Sequence, residues 1–315
     1  MNMNMDMNMV RFAGSFLAAL VLAPLLPGII NKVKAFFAGR KGPRVTQLYF
    51  DLAKLVKKES VISATSGGIL KVAPSVILAL TLMALMLLPT AGVFSPLRFR
   101  GDVLLFFYFL GTCRIFSVLA ALDTGSSFEG MGAAREVFFS ALAEAAVFSV
   151  LAFLTFFSGS FSLAEMLCIR GMESWMVFTP VLLAALALFL VMLAENCRVP
   201  FDDPETHLEL TMIHEAMILD YAGFDLAAIL YSSSLKLWIF AALITSLLIP
   251  ANVLPLWGEV AATFGGILLI TVIVGIVESS MARYRFLKVP PLLIAATILP
   301  VLAIFFALFF DGGWK

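Results

Sequence analysis

Residues 175–194 read WMVFTPVLLAALALFLVMLA, a stretch without one charged side chain. A helix needs about 20 mostly apolar residues to cross the hydrocarbon core of a bilayer, so this stretch predicts a transmembrane span. The composition of the whole chain agrees, because 62% of its 315 residues are hydrophobic and its mean hydropathy is +1.03. We therefore predict an integral membrane protein.

Similar stretches lie on both sides of this one. Backbone groups find no water partner in lipid, so each stretch should form a helix. Pro24, Pro27 and Gly28 interrupt the first, which predicts a kink or an early end there, and the opening MNMNMDMNMV is expected to be a short tail. We predict an all-α protein with a single membrane domain over residues 1–315, whose eight spans run approximately 10–30, 69–93, 103–122, 136–157, 175–194, 226–249, 260–277 and 290–310.

The basic residues predict an orientation in the membrane. An even number of spans puts both termini on one side, and loops rich in Lys and Arg face the cytoplasm. The loops after spans one, three, five and seven carry 13 Lys and Arg, against 5 in the termini and the other loops. We expect these four loops in the cytoplasm, both termini outside, and the protein in the cytoplasmic (inner) membrane.

Two of the cytoplasmic loops are longer than a connection requires. In the first, Val45, Leu48, Leu52 and Val56 recur at helical spacing while the lysines face elsewhere, which is typical of an amphipathic helix at the membrane surface. Such a helix either anchors the chain to the membrane or docks a soluble partner subunit. The second, residues 195–225, is acidic, and Asp203 before Pro204 predicts a helix that continues to Met217.

Ionisable residues within spans are candidate functional sites, because a charge in the bilayer costs several kcal/mol. Glu136 and Glu144 stand eight apart on one predicted helix, so both can face one polar cavity. Two interpretations stay open: static ion pairs, such as Arg114 with Glu136 or Lys236 with Glu144, or a proton path through carboxyl groups. The full set is Arg114, Glu136, Glu144, Glu195, Lys236 and Glu278.

Several functional classes have no support in the residues. The three cysteines (Cys113, Cys168 and Cys197) form no CxxC pair, and the only histidines are His207 and His214, so neither an iron–sulfur cluster nor a zinc site is indicated. A balanced charge argues against a nucleic-acid partner. Gly130 and Gly132 lack the rest of a phosphate-binding motif and are expected to let the backbone turn beside a cavity. No catalytic residues or metal ligands are therefore predicted.

Four motifs, in this order among the spans, carry a resemblance to a known family. They are GPRVTQLYFDLAKLVKKES (42–60), LDTGSSFEGMGAAREVFFSALAE (122–144), ENCRVPFDDPETHLELTMIHEAMILDYAG (195–223) and VESSMARYRF (277–286). The chain resembles the complex I subunit 1 family, which includes the membrane anchors of respiratory complex I, of formate hydrogenlyase and of other energy-converting nickel-iron hydrogenases. Where the respiratory branch has ETNRAPFD followed by an acidic run, this chain has ENCRVPFDD and two histidines, which looks more like the hydrogenase-associated branch.

The resemblance implies a subunit without redox centres that seats a soluble arm and couples its redox chemistry to ion movement. The implied partners are soluble hydrogenase-like large and small subunits, a ferredoxin-like iron–sulfur subunit and antiporter-like membrane subunits, which would hold the iron–sulfur clusters and the nickel-iron centre. By family analogy, the coupling role extends to Glu136, Glu144, Glu195, Asp202, Glu205, Glu209 and Glu215. Contact with the soluble arm is expected at Arg40, Arg44, Arg198, His207 and His214.

Two other functions remain as alternatives. A quinone-site subunit of a respiratory NADH:quinone oxidoreductase would belong to the same family, and quinone is the one ligand that the family leaves possible. A stand-alone secondary transporter ranks lower, because such proteins often carry inverted repeats with broken helices in both halves. The sequence has no internal repeat, and its Pro/Gly breaks in span one have no matching pair later.

Overall fold

The computed structural model describes residues 2–61, 66–89, 95–169, 175–202, 212–249, 255–282, 284 and 286–309. Within these residues the regular structure is helical, as the sequence predicts. A 3₁₀ turn covers Phe286–Lys288. The α-helices are α1 (Asn2–Leu22), α2 (Leu25–Phe37), α3 (Gln47–Val56), α4 (Gly68–Leu87), α5 (Asp102–Asp123), α6 (Ser127–Ser158), α7 (Leu163–Leu167), α8 (Trp175–Glu195), α9 (His214–Met217), α10 (Gly223–Leu248), α11 (Leu256–Ser280) and α12 (Val289–Phe309).

Among the described residues, seven helices are long and apolar enough to cross a membrane, and an eighth span results if α1 and α2 count as one. These two helices meet at an angle of 47°, which confirms the predicted kink. Gly28 explains the local packing, because a side chain there would lie 2.0 Å from the carbonyl oxygen of Val45. The opening residues, expected to form a short tail before the first span, are helical from Asn2 onward.

Helix α10 occupies the centre of the bundle. It packs against α4, α8 and α11. Of its most apolar stretch of 18 residues, 78% is buried inside the protein, against 28–56% for the corresponding stretches of the other six long helices. Helix α12 packs between α6 and α8, and α5 lies along α4. Polar groups on α10 are therefore surrounded by protein, which is where a membrane protein tolerates them.

Helix α6 begins nine residues before the predicted start at Glu136. Gly130 and Gly132 therefore lie within a helix, and the expected tight turn at these glycines is wrong. Gly132 instead permits close packing, because a side chain there would approach the carbonyl oxygen of Ile213 to 2.8 Å. The early start places the whole of residues 127–144 on one rigid element.

Helix α8 ends at Glu195, and the chain then folds back into the bundle. Residues such as Cys197, Phe201 and Met212 are buried there. Asp202 closes this segment, because its Oδ2 accepts the backbone N–H groups of Ile213 at 3.2 Å and His214 at 3.1 Å. The helix predicted from Pro204 is described only at His214–Met217, since residues 203–211 lie outside the described residues.

Helix α3 occupies the first long loop. Its Leu48, Leu52 and Leu55 are partly buried, it lies against α10 and α2, and the Tyr49 hydroxyl donates to the carbonyl of Val21. Phe50 is exposed on the opposite side. A location at the membrane surface for this helix stays a prediction.

Candidate functional site

Three long helices bring a carboxylate and two cations together inside the bundle. Glu195, at the end of α8, lies 3.0 Å from the Arg114 guanidinium on α5 and 2.8 Å from Lys236 Nζ on α10. Only 4% of the Glu195 side chain is exposed. The pair expected between Lys236 and Glu144 is not among the ion pairs of the described residues, because α8 inserts Glu195 between their helices.

Arg114 also contacts a second carboxylate. Its Nη2 lies 3.4 Å from Oε1 of Glu144 on α6, whose side chain is 53% exposed. The Nε and Nη1 atoms of Arg114 are buried and have no hydrogen-bond partner among the described residues. The guanidinium therefore bridges a buried and an exposed carboxylate and keeps donors free.

Glu136 lies in a small polar cavity beside this cluster. The cavity has a volume of about 60 Å³, comparable to two water molecules. Arg114, Glu195, Lys236 and His214 line it together with Glu136. Its remaining polar lining comes from Thr81, Cys113, Ser117, Asn196, Cys197, Ser232 and Ser233. We call it the central cavity.

A second cavity of about 230 Å³ lies between α5 and α6. Its lining is mostly apolar, including Leu104, Phe107 and Phe148, and its polar end holds Arg114, Glu144 and Glu195. The prediction that Glu136 and Glu144 face one cavity is therefore wrong. They line two neighbouring cavities, because α8 contributes Glu195 to the space between them, and Arg114 and Glu195 belong to both.

His214 lies at the cytoplasmic end that we predict for the central cavity. The pKa of His214 is lowered to about 4, mainly by burial and also by the cations Lys236 and Arg198, against the opposing effect of Asp202. The imidazole is therefore neutral at physiological pH. Burial likewise raises the pKa of the Cys197 thiol well above its usual range, so this cysteine stays a protonated packing residue.

Glu278 belongs to a separate charge cluster. Its side chain is fully buried on α11, 3.3 Å from Lys34 on α2 and 3.4 Å from Arg198. Arg198, expected to contact the soluble arm, has most of its side chain buried against Glu278. This cluster joins α2, α11 and the segment after α8.

The other predicted site residues lie away from the two cavities or outside the described residues. Glu215 is partly buried on α9, whereas Arg40 and Arg44 are exposed in the loop before α3. The described residues contain no group of three His, Cys, Asp or Glu side chains that could hold a metal ion. Residues outside the described ranges are Glu205, His207 and Glu209.

Sequence reasoning missed Glu129 and the hydroxyl groups of the central cavity. Glu129 lies in the first turn of α6 and is buried. It could have been found by extending the helix of Glu136 backwards, since positions seven apart share a helix face. The hydroxyls had no comparable signal, because Thr81 and Ser117 bond to backbone carbonyls of their own helices and are common in spans.

Comparisons with known proteins give a consistent result. A family model described as NADH dehydrogenase matches residues 10–310. Hydrogenase-4 component C of Escherichia coli (strain K12) is 32% identical over 276 residues, covering 86% of each protein. Formate hydrogenlyase subunit 4 of the same organism is 30% identical over 283 residues, covering 85% of this chain and 89% of that protein.

The fold also occurs among solved structures. A chain from the membrane-bound sulfane sulfur reductase, an archaeal respiratory membrane complex, matches with a TM-score of 0.79. The match covers 94% of this chain and 99% of that chain at 22% sequence identity.

Proposed function

The chain belongs to the NADH dehydrogenase family of complex I subunit 1-like membrane proteins, and from this premise we propose that it is the ion-coupling membrane anchor of a complex I-related hydrogenase or formate hydrogenlyase complex. It seats a soluble arm that holds the nickel-iron centre and iron–sulfur clusters. It relays protons through the carboxyl groups that line the two cavities. The two relatives named above are themselves components of hydrogenase-4 and formate hydrogenlyase.

The observation that carries the proposal is the position of Arg114 and Glu195 in the linings of both cavities. A proton held in the central cavity and a proton held near Glu144 therefore act on the same guanidinium. Coulombic interactions are strong where water is excluded, so a change of charge on one side alters the preferred charge on the other. This coupling is what a proton relay needs between two compartments.

The charges of this cluster indicate how the relay would respond to a new charge nearby. Glu136, Glu144 and Glu195 are three carboxyl groups facing two cations, Arg114 and Lys236. Since an uncompensated charge within a membrane protein is costly, one proton on this cluster brings it to neutrality. A charge that arrives from the soluble arm would move that proton from one carboxyl to another.

The soluble arm would dock on the basic loop before α3. Arg40 and Arg44 are exposed there, which leaves their guanidinium groups available for carboxylates of a partner. His207, His214 and Arg198 stay proposed contacts, of which Arg198 would act through the segment it holds. Antiporter-like subunits would continue the proton path within the membrane. We place both termini outside and treat residues 1–315 as one membrane domain.

Carboxyl-to-amide substitutions test the relay in the intact complex. We expect Glu136→Gln and Glu144→Gln to leave assembly intact, because the side chains keep their shape, yet to lower proton translocation per turnover or turnover itself by about tenfold or more. The measurement combines hydrogen evolution with dye-monitored acidification in liposomes.

Glu165→Gln is the matched control. Glu165 is an exposed carboxylate next to Arg98 and lines neither of the two cavities, so its loss should change neither rate. If the variants at positions 136 and 144 turn over and translocate protons as the wild type does, the relay is contradicted and the charge cluster has a structural role only.

The cavity of about 230 Å³ favours a second candidate, a quinone-site subunit. Its apolar walls and polar end suit a ligand with a polar head and a hydrocarbon tail. Reduction of an added quinone by the purified complex, and its inhibition by quinone-site inhibitors, would support this candidate. If neither quinone nor inhibitor changes the turnover rate, the quinone-site candidate is contradicted and the hydrogenase proposal remains.

A further inference from the structure

A fully buried carboxyl group lies on the same helix as the partly buried Glu136. Glu129 is 1% exposed, and its Oε1 accepts the backbone N–H of Asp220 at 3.2 Å. Its Oε2 is buried and has no hydrogen-bond partner among the described residues. A buried carboxylate oxygen without a donor is costly, so this atom is stabilised by a proton, by a water molecule or by the neighbouring Thr124 hydroxyl, which donates to the carbonyl of Ala121 in this structure.

Tyr221 offers a matching donor. Its hydroxyl oxygen is also buried without a hydrogen-bond partner in the described part of the chain. Burial raises the pKa of Tyr221, and the nearby carboxylates of Asp225, Glu129 and Asp123 raise it further, so the phenol keeps its proton at physiological pH. Because Tyr221 follows Asp220, whose N–H binds Glu129, the unused donor and the unused acceptor lie in the same part of the protein.

The surroundings of this group are acidic and close to the surface. Asp220, whose N–H holds Glu129, is exposed. The nearest cation on α6, Arg135, donates to the carbonyl of Met212 at 3.0 Å. The titratable side chains of the packed elements are Asp123 at the end of α5, His214 and Glu215 on α9, Asp220 and Tyr221 in the following turn, and Asp225 on α10. Such surroundings attract protons and small cations from bulk water.

One apolar layer separates this group from the central cavity. Glu129 and Glu136 are seven residues apart on α6, which puts them on one face about 10.5 Å from each other. Ala121, Ala133 and Met217 pack together in between, none more than 2% exposed. Met217 also lines the central cavity, so its flexible side chain extends from this layer to the cavity that contains Glu136.

We propose that Glu129 and Tyr221 form the proton-uptake site of this chain, and that the layer containing Met217 is the barrier between this site and Glu136. Hydronium arriving past Asp220 lies between the Tyr221 hydroxyl and Glu129 Oε2. One of its O–H bonds breaks as an O–H bond forms on the Glu129 carboxylate, which leaves a water molecule. The Glu129 O–H bond then breaks as an O–H bond forms on the Glu136 carboxylate, which returns Glu129 to its ionised form. No electrons move. The inference rests on the proposed function and adds the place where the proton enters.

Glu129→Gln in the intact complex tests this site. Glutamine keeps an oxygen for the Asp220 N–H, so we expect normal assembly. We expect proton uptake coupled to turnover to fall by about tenfold or more, most strongly at high pH where protons are scarce in bulk water. Tyr221→Phe should change uptake in the same direction, and Glu165→Gln should leave it unchanged.

Infrared difference spectra between acidic and alkaline buffer give a readout that does not depend on pumping. The wild-type complex should show a carboxylic C=O band that Glu129→Gln lacks. A spectrum without such a loss overturns the uptake site, and so does wild-type uptake at high pH in Glu129→Gln. If Glu136→Gln uncouples while Glu129→Gln does not, only the uptake site fails; if neither uncouples, the proposed function fails as well.

Discussion

At the residue scale, Arg114 performs a task that lysine could not. Its planar guanidinium reaches Glu195 and Glu144 at once, at 3.0 and 3.4 Å, and still keeps two nitrogens for other acceptors. The compact ammonium of Lys236 contacts Glu195 alone among the described ion pairs. The two cations are therefore unequal: one connects the cavities and the other fixes the shared carboxylate.

His214 gives a pH prediction. The pKa of His214 is about 4 in the folded chain, below the value near 6.5 of an unperturbed histidine. Between these values the unfolded state binds the proton and the folded state does not, so stability falls as the pH drops from about 6.5 to about 4, by roughly 1.4 kcal/mol per unit of pKa difference. We expect His214→Gln to lose less thermal stability than the wild type over this range.

The measurement is the apparent Tm of the purified complex as a function of pH. The two proteins should follow parallel curves above pH 7, where the imidazole is neutral in both states, which provides an internal control. Parallel curves down to pH 4 would mean that His214 has the same pKa in the folded and the unfolded chain, which would contradict the prediction.

At the element scale, the contact between α2 and the start of α3 depends on one missing side chain. The Val45 carbonyl oxygen occupies the place where a Cβ of Gly28 would stand. The backbone of Val45 and the helix that contains Gly28 are both rigid, so neither can move aside for an added side chain. The kinked pair α1 and α2 and the helix α3 are therefore fixed together.

Gly28→Ala should consequently destabilise the protein, by about 1–3 kcal/mol as for other overpacked sites. Gly265→Ala on α11 is the matched control, because no atom lies within 4 Å of its Cβ position and alanine is the better helix former. Thermal denaturation of the purified variants, followed by size-exclusion chromatography, compares them. Equal midpoints for both variants would contradict the packing argument.

At the scale of the whole molecule, the fold builds a polar interior within an apolar protein. The most buried long helix, α10, carries Lys236, Ser232 and Ser233 of the central cavity, whereas the outer helices present apolar side chains. Each ion pair of the cavities joins different helices, so the charges exist only in the assembled bundle. An unassembled chain would expose them to lipid.

The orientation of this bundle is a further prediction. Both termini should lie outside, with the basic loop before α3 in the cytoplasm. Lys57 and Arg100 are exposed on sides that we predict to be opposite. A membrane-impermeant thiol reagent should label Arg100→Cys in intact cells and Lys57→Cys only in inverted vesicles.

The unmodified chain is the control for this labelling, because Cys113 and Cys197 are buried and Cys168 is partly buried. Labelling of Lys57→Cys in intact cells would reverse the assignment.

The sequence by itself determined that the chain crosses a membrane several times, where the kink lies, and to which family it belongs. These properties follow from runs of neighbouring residues: an apolar stretch needs no knowledge of its partners to be a span, and Pro24 breaks a helix wherever that helix packs. The same local reasoning placed Glu136, Glu144 and Arg114 among the important residues.

Only the tertiary structure decided how these charges are joined. Local pattern put Glu136 and Glu144 in one cavity, paired Lys236 with Glu144 and left Glu129 unnoticed. The structure sets Glu195 between the two cations, divides the space in two and buries Glu129. The reason is that an ion pair depends on which helices lie side by side, and helices far apart in the sequence become neighbours only when the bundle packs.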